Sequence, residues 1–273
     1  MPEIAGGEDK AMKVFPLLLA GLASSAAARP AASPFDGRWV SDLDTQAGLP
    51  TDVYRVADGV YRCDSCSPPR TYPADGRPHA VAGDDQVRWE SVRIAGPRAI
   101  VTHIEGPTLS RTVTMTVAAD DRAATYVATD RRPGVRGPLR TVYIARRTAP
   151  APVGAHAVSG TWQGVRYVAV PEQARTIVLH LDGDRFVYRH ALGYAFTARL
   201  AGGFVPVRGP YKVPVFAAVR RVGARTVEET RKSNGRITTV RTYTLSPDGR
   251  ALEIATTDAA TGRTFRATSR RGT

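Results

Sequence analysis

Cysteine, lysine, histidine and methionine are all scarce in this 273-residue chain, and each scarcity narrows the chemistry available. Two cysteines, Cys63 and Cys66, make at most half of a four-ligand zinc site; His79 and His103 are the nearest histidines, and no second cysteine pair follows. His156 lies in a linker, and His180 and His190 share a hairpin without converging. If Asp182-Gly183 is its two-residue loop, His180 lies opposite Arg185. No G-x-S-x-G, H-E-x-x-H, P-loop or glycine-rich dinucleotide turn is present, so no cofactor or metal is expected and the chain reads as non-enzymatic. Glu228 and Glu229 are neighbours on a strand and face opposite ways, unlike paired catalytic carboxylates. Long apolar runs are missing as well. The longest, Val14–Ala23, is about half of the ~20 residues that a membrane-spanning helix needs.

That short run fits a leader. Met12 is followed by Lys13, the apolar core, and small residues ending in Ala26-Ala27-Ala28 before Arg29, which is the three-part form of a secretory signal peptide. The acidic stretch from Met1 to Ala11 does not suit the front of a leader, so translation is expected to begin at Met12 rather than Met1. Residues 1–28, with the signal peptide at 12–28, are therefore set apart from the fold. The rest is expected to be periplasmic or secreted, and not transmembrane once the leader is cleaved. Its formal charge is strongly positive, +13 for the whole chain, carried almost entirely by arginine because only four of 38 basic residues are lysine. The arginines are spread along the chain and no aromatic RNP pattern accompanies them, so nucleic acid is not an expected partner. A weak attraction to an anionic envelope surface is expected from the charge alone.

What the chain does contain is a repeat. "TMTVAADDRAATYVATD" (Thr114–Asp130) aligns without a gap on "TYTLSPDGRALEIATTD" (Thr242–Asp258). Upstream, "FDGRW" (Phe35–Trp39) matches "VSGTW" (Val158–Trp162); downstream, "RTVYIARR" (Arg140–Arg147) matches "RTFRATSRR" (Arg263–Arg271). Three segments in the same order imply a tandem duplication. A proline- and alanine-rich linker, 148–157, separates the copies at 29–147 and 158–273. Each copy alternates in the manner of half-buried strands: Val113, Met115 and Val117 share one face, and Thr112, Thr114 and Thr116 the other. Turns at Asp182-Gly183, Ala95-Gly96-Pro97 and Pro247-Asp248-Gly249 punctuate the strands. About eight strands fit in each half. The fold class is all-β, either two small antiparallel up-and-down barrels or, alternatively, two β-sandwiches.

Gly37-Arg38-Trp39, Gly160-Thr161-Trp162, "TVEETRKSNGRITTVRTYTLSPDGRALEI" and "YRCDSCSPPRTYPADGRPHAVAG" together resemble a group of exported bacterial domains described as lipocalin-like. The resemblance implies that Trp39 and Trp162 each close one barrel end and pack on an arginine of a last strand, with Arg146 or Arg147 and Arg270 or Arg271 as partners. It further implies a small apolar or amphipathic ligand held in a barrel by aromatic residues such as Tyr61, Tyr126, Phe186 and Tyr188. Two rival readings are a basic envelope-associated protein touching anionic lipid or polysaccharide, and an enzyme whose site has no sequence signature.

Cys63 and Cys66 follow a strand-like "GVYR" and precede Ser-Pro-Pro, which does not open the helix that a thioredoxin-type pair requires. An oxidising compartment favours a local disulfide. Their side chains meet only if Asp64-Ser65 makes a tight turn, and so short a ring stabilises by about 2 kcal/mol at most.

Overall fold

The computed structural model describes residues 33–84, 87–211 and 213–272. The expected leader, 12–28, and the stretch before it lie outside the described residues. In chain order the strands of the first half are β1 (Gly37–Ser41), β2 (Thr51–Ala57), β3 (Val60–Cys63), β4 (Arg70–Pro73), β5 (His79–Ala80), β6 (Trp89–Gly96), β7 (Ala99–Glu105), β8 (Ser110–Val117), β9 (Ala123–Arg131) and β10 (Leu139–Ala149). The second half supplies β11 (Gly160–Ala169), β12 (Thr176–Asp182), β13 (Arg185–His190), β14 (Ala195–Arg199), β15 (Val205–Pro206), β16 (Val215–Gly223), β17 (Thr226–Ser233), β18 (Arg236–Leu245), β19 (Ala251–Asp258) and β20 (Thr264–Arg271). They form two nearly closed, ten-stranded antiparallel barrels. Each exceeds the expected eight strands, the two-residue β5 and β15 being too short to show as periodicity.

The barrels do not coincide with the sequence copies. One has the order β4-β3-β2-β11-β10-β9-β8-β7-β6-β5, and the other β14-β13-β12-β1-β20-β19-β18-β17-β16-β15. The opening strands of the two copies have changed places. Strand β11 folds back on β10 and also pairs with β2, so the first barrel is one continuous run, Thr51–Ala169. Strand β1 inserts between β12 and β20, bringing one end of the described chain beside the other. The segment expected as a linker, 148–157, is consequently the end of β10 and most of the 150–159 loop of a β10–β11 hairpin. His156 fixes it, its amide donating to Val56 O at 2.8 Å and its Nε2 lying 2.7 Å from Gly96 O.

The same plug closes the corresponding end of each barrel. Trp39 and Trp162 are wholly buried, and each indole N–H donates at 2.9 Å to the carbonyl four residues earlier, Phe35 O and Val158 O. Arg271 lies 4.6 Å from the Trp39 ring centroid and Arg147 lies 4.1 Å from that of Trp162. Arg271 also donates to the Pro34 and Asp36 carbonyls, and Arg147 to those of Ala157 and Ser159. Glycine is required two residues before each tryptophan. Gly37 and Gly160 have φ of +139° and +120°, and a Cβ there would sit 2.6 Å from Arg271 Nη1 or 2.9 Å from Arg147 Nη1. Arg147 and Arg271, rather than Arg146 and Arg270, are the stacking partners.

Period-two alternation fills both cores. Ile177, Leu179 and Leu181 of β12 face inward with Phe186 and Tyr188 of β13. The connecting loop is Gly183-Asp184, not Asp182-Gly183, so Asp182 pairs with Arg185 and His180 with Val187. Gly183 takes the positive φ of +56° that this turn needs. A slip of one residue would turn one strand's apolar face outward, which is why the register is fixed here. The other core gathers Val56, Tyr61, Val92, Ile100, Met115, Tyr126 and Trp162. Cys63, the last residue of β3, and Cys66 are joined in a disulfide, with Cα atoms 5.5 Å apart. No described helix is long and apolar enough to cross a membrane.

Candidate functional site

The ends opposite the tryptophan plugs converge. Arg132, in the loop after β9, donates to Tyr194 Oη at 3.1 Å from one barrel to the other, and Ala47, between β1 and β2, bridges to Arg266 through backbone hydrogen bonds. Three adjoining cavities lie about this junction. One of about 300 Å³ sits in the second barrel, walled by Ile177, Tyr188, Ile254, Phe265 and Ala267 with His190, Arg175 and Arg241. A chamber of about 320 Å³ lies at the seam and takes walls from both barrels, Arg111, Asp130, Tyr143 and Tyr167 facing Gln46, Arg175 and Phe265. The third, about 180 Å³, is inside the first barrel among Tyr54, Tyr61, Tyr126, Arg70, Glu90 and Met115. Neighbouring cavities share walls: Ser41, Arg175 and Phe265 between the first two, Arg111 and Tyr143 between the last two.

Charge at these mouths is lopsided. In the second barrel Glu229, fully buried, accepts from Arg231 and from the Tyr243 hydroxyl, with Arg241 3.9 Å away. Arg231 also lies 5.3 Å from the Tyr188 ring, and Arg241 donates to Thr256 Oγ1 at 3.0 Å. One carboxylate thus serves two guanidiniums. Across the seam, Asp130 takes a two-pronged ion pair from Arg111 at 2.6 and 2.8 Å and a longer contact from Arg132 at 3.4 Å. Arg175, on the turn Glu172–Arg175 that carries the chain from one barrel to the other, has no carboxylate partner among the described residues; its Nη1 donates to Ser41 O at 2.6 Å. Five arginines, Arg111, Arg132, Arg175, Arg231 and Arg241, therefore stand around two carboxylates, Glu229 and Asp130. A third acid, Asp52, accepts from Tyr143 Oη at 3.4 Å, and burial pushes its pKa up toward the neutral form against the pull of Tyr143 and Arg263.

His190 is held neutral. Burial, and then the charges of Arg241, Arg231 and Arg132, lower its pKa to about 4. Its Nδ1 accepts from Leu192 N at 3.1 Å, which leaves the proton on Nε2 as a donor. That tautomer can hydrogen-bond an acceptor and cannot serve as a base through Nε2.

Of the aromatic residues expected to hold a ligand, Tyr61 and Tyr126 line the first barrel's cavity and Tyr188 lines the second's. Phe186 is buried beneath, packed on Phe196 and Tyr243, and lines none of the three. The chain's ten tyrosines all belong to the cores, their partly buried margins or the chamber wall, including the stacked pair Tyr126–Tyr143 at 4.3 Å. The arginines and Glu229 had no motif to announce them. Their one sequence signal is alternation: Val227, Glu229 and Arg231 occupy the same face of β17, and charge on a strand's apolar face has to be paired or used.

Among the described residues no cluster of three or more His, Cys, Asp or Glu side chains is arranged to hold a metal ion. Comparison with protein-family models, with curated proteins and with solved structures returned no match for this chain.

Proposed function

We propose that this is an exported, non-enzymatic carrier or sensor of lipocalin-like build that binds a small amphipathic molecule with an acidic head. The observation that supports it is the excess of partly buried guanidinium over carboxylate around cavities whose other walls are largely aliphatic and aromatic. Burying an unpaired cation is costly, and an acidic ligand would supply the missing charge while its apolar body covers Ile177, Ile254, Phe265 and Tyr188. Neutral His190 adds a directed donor. Binding is favoured over turnover because the buried acids are tied up: Glu229 by Arg231 and Tyr243, and Glu90 by Arg70 at 2.5 Å.

A matched pair of fluorescent probes tests the reading. Anilinonaphthalenesulfonate and neutral N-phenylnaphthylamine share an aromatic body, and only the first carries an acid. The anion is expected to bind the native chain about tenfold more tightly, the worth of one charge-assisted hydrogen bond. In Arg241→Gln that preference should shrink. Equal affinity for both probes in the native protein would overturn the proposal and favour a purely apolar pocket.

A further inference from the structure

The two copies invite the expectation of two binding sites, one per barrel. The geometry points to something else: we propose that one molecule of amphipathic acid binds per chain, at the seam, with its head on Arg175 and with walls supplied by both barrels. This rests on the binding reading above and makes it specific.

Three observations carry it. First, the seam chamber belongs to neither barrel alone, since Tyr143, Tyr167 and Arg111 come from one and Phe265 from the other. Second, Arg175 lines both the chamber and the second barrel's cavity, so its guanidinium sits where a head in the chamber and a body in the barrel would meet. Third, two buried side-chain polar atoms without a hydrogen-bond partner among the described residues, Gln46 Oε1 and Arg175 Nε, belong to the walls of the seam chamber. Buried polar atoms are ordinarily satisfied, and a polar head in the chamber is a partner that a small shift of these two side chains would reach.

The first barrel's own cavity is a poorer seat. Its charges are already matched, Arg70 pairing with both Glu90 and Asp84, and the Arg111–Asp130 pair stands between it and the chamber. Among the described residues, Arg175 is the arginine of this arrangement that no carboxylate pairs. It lies on the segment that crosses between the barrels, so a bound head there would tie them together.

Isothermal titration of the full chain with decanoate and with decanol separates the alternatives. The expected result is one decanoate per chain, bound about tenfold more tightly than decanol. In Arg175→Gln the acid and the alcohol should bind with nearly equal affinity, while Arg175→Lys should keep part of the preference. Tyr167→Ala in one barrel and Ile254→Ala in the other should each weaken the same single event by about threefold, the loss of part of an apolar contact. Two decanoates per chain would overturn the seam site and leave the binding reading standing. An acid preference unchanged in Arg175→Gln, or a wall variant in either barrel without effect, would overturn it likewise. No binding of either probe by the folded native chain would overturn both.

Discussion

The first barrel is made from one uninterrupted stretch, while the second has to borrow its closing strand from the far end of the chain. Strand β11 pairs seven residues with β10 across a short loop; β1 pairs only three with β20. The chemistry of the plug is nevertheless the same in both, down to the glycine, the indole hydrogen bond and the stacked arginine. The difference teaches that the sequence repeat and the folded unit are offset by one strand. Because the two opening strands carry the same plug, each of these motifs is suited to closing either barrel.

Removing a plug strand breaks the comparison most sharply. Deleting residues 33–41 should unfold the second barrel and leave the first, whose strands are all retained, giving two separated transitions in a chemical melt. A single unchanged transition would show that β1 does not close that barrel. Trp39→Ala and Trp162→Ala are the gentler version, each expected to cost about 3–5 kcal/mol for an emptied site at full burial, with the loss confined to its own barrel by hydrogen exchange. A loss for Trp39→Ala centred on the first barrel would contradict the exchange.

Smaller effects sharpen the contrast. Reducing Cys63–Cys66, or replacing both with serine, should cost at most about 2 kcal/mol and act on the first barrel only, since the second has no counterpart. Acid should act on the second barrel. His190 has a folded pKa near 4, below its ordinary value of 6.5, so the unfolded chain binds the extra proton and stability is lost as pH falls from about 6.5 to about 4. After allowing for its partial exposure the loss is about 1–2 kcal/mol, and it should vanish in His190→Gln. Asp52 in the first barrel runs the other way: its raised pKa means that the folded state takes up the proton first and gains from mild acidification.

Fold class was readable because period-two alternation and turn residues are local. The strands around Met115 and around Pro247-Asp248-Gly249 stand where the pattern puts them. Trp39 and Trp162 were readable as plugs through the motif around them, although their arginines needed the exchange to be assigned. Pairing between distant strands left no mark, because β1 and β11 open with the same Gly-x-Trp motif and nothing local says which barrel each closes. The mouths were hidden for a different reason. Arg175, Arg241 and Glu229 come from a crossover turn and two strands, and nothing local distinguishes them from solvated arginines and glutamates elsewhere in an arginine-rich chain.

The exchange of opening strands can be tested by cutting the loop that joins β10 to β11. With a protease site placed at Val153, which is fully exposed, cleavage leaves one fragment holding β1 to β10 and another holding β11 to β20. Each barrel then contains a strand of both fragments, so the cut protein should elute from a sizing column as one species of unchanged size and come apart only on unfolding. Two folded half-sized species, separating without denaturant, would mean that each copy closes on its own first strand.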